Sequence, residues 1–453
     1  MKVSKKYKRI IQLELNEISY PIIEGLIEKN RLPNFKILND SWQFLKTDSE
    51  EDYEKIEPWI QWVTAHTGKT YSEHGIFNLG DVHKLKHKQI WERLSEKGIE
   101  SGIIGSMNAA KNTAKGGMFF PDPWAIHAEA YPDKLKPLWQ LISSRVQSHA
   151  TSKLGIPDLL KGVRSCLQFN IPLSTYFSIA NQILQQKMEP KVKWKLAIVF
   201  DLFQAELFKN VLRKTDYGYY TLFLNAIAHY QHHYWRNYSR EGFNPEIKYD
   251  DIRPEDDPIS YGYEAYDKIL GEIIKIVKDD PDTLIIVVSG LSQIPYTDKE
   301  EQGGMNYYRL KNHQAFAEKI GVGVSHGYEV FPLMSRDWQI KYASEEQKIK
   351  ALKVLKGLKM KGERLFNIRE DVADYIFIET AYTKGAEASD PIELDGSSIS
   401  LFLDAFTNIA IKSGHHTGVG NLWLSDDAMI NYSRSAHVGL KDLYDFTFDA
   451  LSR

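Results

Sequence analysis

The chain has almost no cysteine: Cys166 stands alone in 453 residues. That excludes an internal disulfide framework and a multi-cysteine zinc site, and it suits a reducing compartment. Net charge is missing too. Lys and Arg number 57 against 60 Asp and Glu, leaving −3, so no global basic field exists to hold nucleic acid by counterion release. No apolar run reaches the roughly 20 residues that a membrane helix needs. The Lys-rich start gives way to Ile10-Ile11 and then to Gln12 and Glu14, so no signal-peptide apolar region forms. The expectation is a soluble, cytoplasmic protein, with the basic, aromatic stretch 191–194 open to peripheral membrane contact.

Aromatics and histidines are abundant. With 43% hydrophobic residues, 10 Trp, 25 Tyr and 20 Phe, the chain buries a sizeable core, as one large elaborated domain or two smaller ones. Short runs rich in Ile, Val and Leu alternate with helical patterns, which predicts an α/β fold with a mostly parallel sheet sandwiched by helices. Candidate strands are 9–15, 101–105, 219–225, 283–289 and 374–379, and candidate helices are 20–30, 89–97, 261–278 and 440–451. Pro-punctuated, mostly helical sequence (119–124, 153–160, 175–186) predicts a helical cap inserted at 117–214. The core is then 1–116 with 215–453, and 321–367 is a smaller Lys-rich insertion within it.

Ligands of parallel sheets bind beyond the carboxyl ends of the strands. The first strand ends Gln12-Leu13-Glu14-Leu15-Asn16-Glu17, and its alternation puts Gln12, Glu14 and Asn16 on one face. A carboxylate inside a buried strand is costly unless paired or functional; on an edge strand it would simply be wet. Glu57-Pro58-Trp59-Ile60-Gln61 mixes an acid, aromatics and an amide in an arrangement able to stack a ring and hydrogen-bond its substituents. His229, Gln231, His232 and His233 follow the 219–225 strand. At helical spacing the three imidazoles share a face suited to a metal, a proton relay or an anion. A second pair, His415-His416, lies in a Gly-rich loop, and Ser292 and Gln293 follow the 283–289 strand.

The order of these segments resembles the alkaline phosphatase superfamily, in particular its type I phosphodiesterase/nucleotide pyrophosphatase branch. Residues 10–17 followed by Leu32-Pro33-Asn34-Phe35 look like its first strand with an Asp-Gly end and the "LPNL" segment. Residues 61–68 with His74-Gly75-Ile76 are similar to "N-W-x-T-x-x-T-G…HGI". Residues 90–106 look like its helix and "GxxVGxxG" strand, 284–289 stand where it has "VVSDHG", 414–424 look like "GTHxxxGxL", and 439–451 resemble its terminal "DIAPTIL" helix.

The resemblance implies two divalent metals, usually zinc, and a Thr or Ser nucleophile. At the corresponding positions this chain has Asn16 for the first Asp, Pro58 for the nucleophile, Ala228 with His232 for Asp-x-x-x-His, and Gly290-Leu291 for Asp-His. His232 and His416 remain as possible ligands of a single divalent ion, too few for two metals. The expectation is therefore a remodelled, metal-poor pocket. Glu14 or Glu57 would act as acid or base, and His232 would act in catalysis. Asn16, Glu17, Trp59, Gln61, His229, Gln231, His233, Ser292, Gln293, His415 and His416 would bind substrate.

The expected function is hydrolysis or group transfer on a phosphate-containing or sugar-nucleotide substrate, or on a glycan with an anionic group. A likeness of the 14–17 string to divergent bacterial proteins of the superfamily adds glycosyl transfer in surface-polysaccharide synthesis. The alternatives are a non-catalytic scaffold that kept only the fold, and last a working two-metal phosphodiesterase.

Overall fold

The computed structural model describes residues 2–147 and 181–451, apart from breaks at 50–51, 53–54, 112–113, 126, 183, 186–187, 248–251, 334–335, 371–373 and 430–431. The chain forms two compact units. The first comprises Met1–Ser239, Asp250–Pro295 and Gly414–Arg453, and the second Arg240–Tyr249 and Tyr296–Ser413.

The first unit is built on β1 (Arg9–Leu15), β2 (Gln43–Asp48), β3 (Ser101–Ile104), β4 (Met118–Phe120), β5 (Tyr219–Leu224), β6 (Thr283–Val288), β7 (Ser292–Pro295), β8 (Gly414–Thr417), β9 (Val419–Leu424) and β10 (His437–Gly439). Eight of these make one sheet in the order β10-β2-β9-β6-β1-β5-β3-β4. From β6 to β4 every pairing is parallel, and β9 runs antiparallel between β6 and β2. β1 is central, held between β5 and β6, so each of its residues from Ile10 to Leu15 is buried. The wet edge strand that would have excused Glu14 is not what the chain builds.

Helices α1 (Tyr20–Glu28), α2 (Pro33–Ser41), α3 (Pro58–Thr67), α4 (Ile90–Glu96), α5 (Ala197–Lys214), α6 (Ala226–Tyr238), α7 (Pro258–Val277) and α8 (Asp442–Ala450) belong to this unit. α3 starts at Pro58, whose missing N–H costs nothing in a first turn. It stops at Gly68, at φ +66°; a Cβ there would also meet the Tyr444 ring of α8 at 3.0 Å. α7 is capped by the Asp257 carboxylate, which accepts from the Ser260 amide at 3.0 Å. It buries Ile259, Tyr263, Tyr266, Leu270 and Ile273 at helical spacing.

Two described parts of the 117–214 stretch join the sheet: Met118–Phe120, overlapping the 119–124 segment expected to be helical, pairs in parallel with Gly102–Ile104, and α5 packs on β5. A Met-Phe-Phe run buries more as a strand at a sheet margin than as a turn of helix. The proposed helix at 153–160, and most of that at 175–186, fall outside the described residues. The 321–367 insertion is instead part of the larger second unit, which has its own core around Trp338, Phe366, Ile376, Phe402 and Phe406. The fifth candidate strand lies there, as Tyr375–Thr380, antiparallel to Asp337–Lys341 and Phe366–Arg369. A short apolar run has no signature of its pairing direction, so the sequence could not assign its sheet. No helix among the described residues is long and apolar enough to cross a membrane.

Candidate functional site

Three strand ends of the first unit meet. After β1 the chain turns through Asn16 and Glu17; after β5 it enters α6, which carries His232; after β6 it passes Ser289-Gly290-Leu291 into β7, antiparallel to β8. In that ladder His416 faces Gln293 and His415 faces Ile294, so alternation sends His416 and Gln293 to one side and His415 to the other.

Glu17 Oε2, His232 Nε2 and His416 Nε2 stand 3.2 Å from one another in all three pairings. Glu17 is 2% exposed, while the imidazoles are 26% and 14% exposed and reach solvent. Glu17 is further held by the Asn16 Nδ2 amide, donating to Oε1 at 2.8 Å, and by the Gln293 Nε2 amide, donating to Oε2. Burial alone would raise its pKa; the His416 and His232 imidazoles outweigh burial and hold the carboxyl below the usual range.

Partners on the far side of each ring assign the tautomers. His232 Nδ1 lies 3.2 Å from the Gly414 carbonyl, which only accepts, so Nδ1 carries hydrogen. His416 Nδ1 faces the Glu57 carboxylate at 3.5 Å. When neutral, both rings turn an Nε2 lone pair toward the same point as Glu17 Oε2, the form that a cation would bind; when protonated, they donate to Glu17 instead. Three acceptors facing one another repel unless a cation or a proton lies among them. Gly414 makes this approach possible, since a Cβ there would meet the Gln231 carbonyl oxygen at 2.5 Å.

The backbone at Glu17 is left-handed, with φ at +60°, which costs a non-glycine residue about 1–2 kcal/mol. Hydrogen bonds of about 1 kcal/mol each offset that cost: Gln231 Nε2 donates to the Glu17 carbonyl at 2.8 Å, and Ser292 Oγ and Asn421 Nδ2 donate to the Ile18 carbonyl at 2.8 and 3.0 Å. A strained residue held this firmly is a candidate for function.

Residues 57–363, a range that includes His232 but neither Glu17 nor His416, match the profile of one family, type I phosphodiesterase / nucleotide pyrophosphatase. The chain belongs to that family. Membership supports a function in hydrolysis or phosphoryl transfer. No curated protein matches the sequence.

Among solved structures the chain is similar to phosphonoacetate hydrolase from Sinorhizobium meliloti 1021, in complex with phosphonoacetate, at 12% identity and a TM-score of 0.45, covering 100% of this chain and 98% of that one. It is also similar to human ectonucleotide pyrophosphatase/phosphodiesterase 5, at 10% identity and a TM-score of 0.44, covering 96% and 93%. A third likeness is to alkaline phosphatase from the Antarctic bacterium TAB5, at 11% identity and a TM-score of 0.39, covering 98% of each chain.

The type I phosphodiesterase resemblance implies two metals, and the side chains present test that. Asn16 is committed as a donor, to Glu17 and to Asn225 Oδ1 at 2.8 Å, while its own Oδ1 accepts from Trp62 Nε1 at 2.8 Å. Leu291 is apolar and fully buried, Gly290 has no side chain, and Ala228 offers no ligand atom. Among the described residues, these positions offer a second metal no donor set. A single ion has one: Glu17, His232 and His416 are a group able to hold it. Ligands about 2.0–2.1 Å from a tetrahedral zinc stand about 3.3 Å apart, close to the 3.2 Å observed.

The remaining sequence candidates scatter. Glu14 lies deep in the sheet, 0% exposed, its Oε1 within 2.8 Å of His66 Nε2 and accepting from Gln12 Nε2 at 2.9 Å. Gln61, fully buried in α3, donates to the Lys55 carbonyl. Trp59 is in the first turn of α3, where its carbonyl accepts from Asn108 Nδ2. His229 and His233 pair with each other, ring centroids 4.2 Å apart, not with Glu17. Burial, then the neighbouring His232, takes His229 down to about 4, and burial holds His233 well below the ordinary imidazole value.

Sequence reasoning missed the positioning groups Asn421 and Tyr263, and also a cavity of about 290 Å³ lined by His83, Lys111, His127, Tyr131 and Lys136. There the Lys111 ammonium sits 4.1 Å over the Tyr131 ring and donates to the Ala114 carbonyl. These residues are spread over more than fifty positions, with no spacing to announce them.

Proposed function

We propose that this protein is a hydrolase or group-transfer enzyme for a phosphate-containing substrate, sugar nucleotides included, working around one divalent ion held by Glu17, His232 and His416. The observation that carries this reading is the convergence of two imidazole Nε2 atoms and a carboxylate oxygen, from α6, β8 and the turn after β1, to 3.2 Å of one another with both rings reaching solvent. A bound ion would supply Lewis acidity toward a phosphoryl oxygen. Gln293 and Asn16 hold the Glu17 carboxylate in place, and the Gly414 carbonyl and Glu57 fix which imidazole nitrogens face inward.

Glu57 is the acid/base of this reading rather than Glu14. Its side chain is 32% exposed and 3.5 Å from His416, whereas Glu14 is sealed. With Pro58 at the first position of α3, no side-chain nucleophile is offered there, which favours direct attack by water or by an acceptor hydroxyl deprotonated by Glu57. Glycosyl transfer in surface-polysaccharide synthesis, a glycan acceptor and a cytoplasmic setting belong to the same proposal. The absent nucleophile also favours a second reading, a binding protein without turnover.

Metal analysis of the purified full-length chain, with turnover of an aryl phosphodiester and of sugar nucleotides, separates them. One equivalent of metal with turnover lost in His232→Ala supports the enzyme. Metal or ligand binding without turnover supports the binding protein. Two equivalents would overturn the one-ion site.

A further inference from the structure

Gln231 and Ser292 are sequence candidates for touching substrate, yet Gln231 Nε2 and Ser292 Oγ each donate to a backbone carbonyl of the Glu17 turn. Gln231 Nε2 donates to the Glu17 carbonyl at 2.8 Å, and its Oε1 accepts from the Tyr263 hydroxyl at 2.7 Å. The phenol oxygen in turn accepts from the Ser19 amide at 2.6 Å. Tyr263 thereby does two things. It pins the end of the turn, and it fixes which way round the Gln231 amide sits, so that nitrogen and not oxygen faces Glu17. Gln231 and Tyr263 are both 0% exposed, and Gln231 directly precedes His232 on α6. One amide therefore ties the strained backbone of the carboxylate ligand to the helix that carries an imidazole ligand.

We infer that Tyr263 of α7, acting through Gln231, is a positioning residue that sets the Glu17 carboxylate against His232 and His416. The inference rests on the one-ion reading above. A carboxylate on a left-handed residue has an alternative: the turn relaxes and the side chain swings away. The carbonyl and amide groups of residues 17–19 are pinned against that by Gln231, Ser292, Asn421 and Tyr263, and by the Ser289 carbonyl, which accepts from the Glu17 amide at 3.3 Å. Burial pushes the Tyr263 phenol well above its ordinary pKa, so it stays a hydroxyl donor across the working pH range. Groups that orient a ligand in this way typically govern tenfold to hundredfold of metal affinity.

The test is titration of the full-length protein with cobalt(II), read by visible absorption, alongside thermal unfolding. Tyr263→Phe is expected to weaken cobalt binding by roughly tenfold to hundredfold and to alter the absorption band. Tyr382→Phe removes another buried phenol, one that donates to the Gly385 carbonyl at 3.0 Å in the second unit, and is expected to leave both unchanged. If Tyr263→Phe fails to fold, Gln231→Leu is the deciding variant. Should wild type bind cobalt and lose it in His232→Ala while Tyr263→Phe and Gln231→Leu both bind like wild type, the positioning role is overturned and the site stands. Should wild type show no binding that His232→Ala removes, the one-ion reading itself fails.

Discussion

Two glutamates three residues apart, one on β1 and one just past its end, each meet histidine in opposite surroundings. Glu14, in mid-sheet between β5 and β6, and His66 of α3 are 2.8 Å apart and both 0% exposed. Glu17 meets His232 and His416 at 3.2 Å, just past the strand end, with both rings reaching solvent. Residue type and distance are nearly the same in the two clusters. Their position along the strand differs: inside the ladder a side chain is sealed by the helices that cover a parallel sheet, while at the carboxyl end the chain diverges and leaves room for a ligand. The Glu14 pair is sealed, and the Glu17 cluster is the candidate site.

The largest expected effect separates the two clusters by metal binding. Glu17→Gln or His232→Ala should weaken binding of the single ion by about 100-fold or more, beyond what loss of an orienting group costs, while Glu14→Gln leaves it unchanged. Titration with zinc or cobalt reads this, and equal losses in both clusters would collapse the comparison.

Stability should move the other way. His66→Ala strands a buried carboxylate and opens a cavity, at an expected cost of about 3–5 kcal/mol in urea unfolding. Glu17→Gly, which releases a left-handed backbone strain of about 1–2 kcal/mol, should leave metal-free stability within about 1 kcal/mol of wild type.

Acid adds a finer distinction through His229, on the same helix as His232. Its folded pKa of about 4 lies below the ordinary 6.5. Between those values the unfolded chain takes up a proton that the native chain refuses, so stability falls as pH drops from about 6.5 toward 4. His229→Gln should flatten that limb in urea titrations at pH 7 and pH 5; an unchanged slope would remove His229 from the acid response.

The smallest effect concerns Glu57. Glu57→Gln keeps an oxygen that accepts from His416 Nδ1, so metal affinity should fall by about tenfold at most. Turnover should fall much further if Glu57 moves a proton, and matching small losses in both would leave it only an orienting role.

Much of the scaffold was legible in the sequence. The first strand runs from Arg9 to Leu15 as its apolar alternation predicts, and 219–225 and 283–289 are its two neighbours. His232 and His416 stood out by position in the family pattern. Glu17 was read as one polar residue among many, because its importance lies in a backbone angle and in partners more than two hundred residues away. The second unit was underestimated, since its strands are short and lack a period that distinguishes antiparallel from parallel pairing. Tyr263 looked like one more aromatic on the buried stripe of an amphipathic helix, which it also is.

The sequence by itself determined the α/β alternation and the strand ends beyond which a ligand of such a sheet would bind. Those are local matters, set by periodicity and residue type. Only the tertiary structure decided that Glu14 is sealed and Glu17 is open, that His416 and not His415 faces inward, and that Gln231 and Ser292 bond the Glu17–Ile18 backbone. Each depends on which strand neighbours which and in what register, and a shift of one residue in the β7–β8 ladder would exchange His416 for His415 at the site.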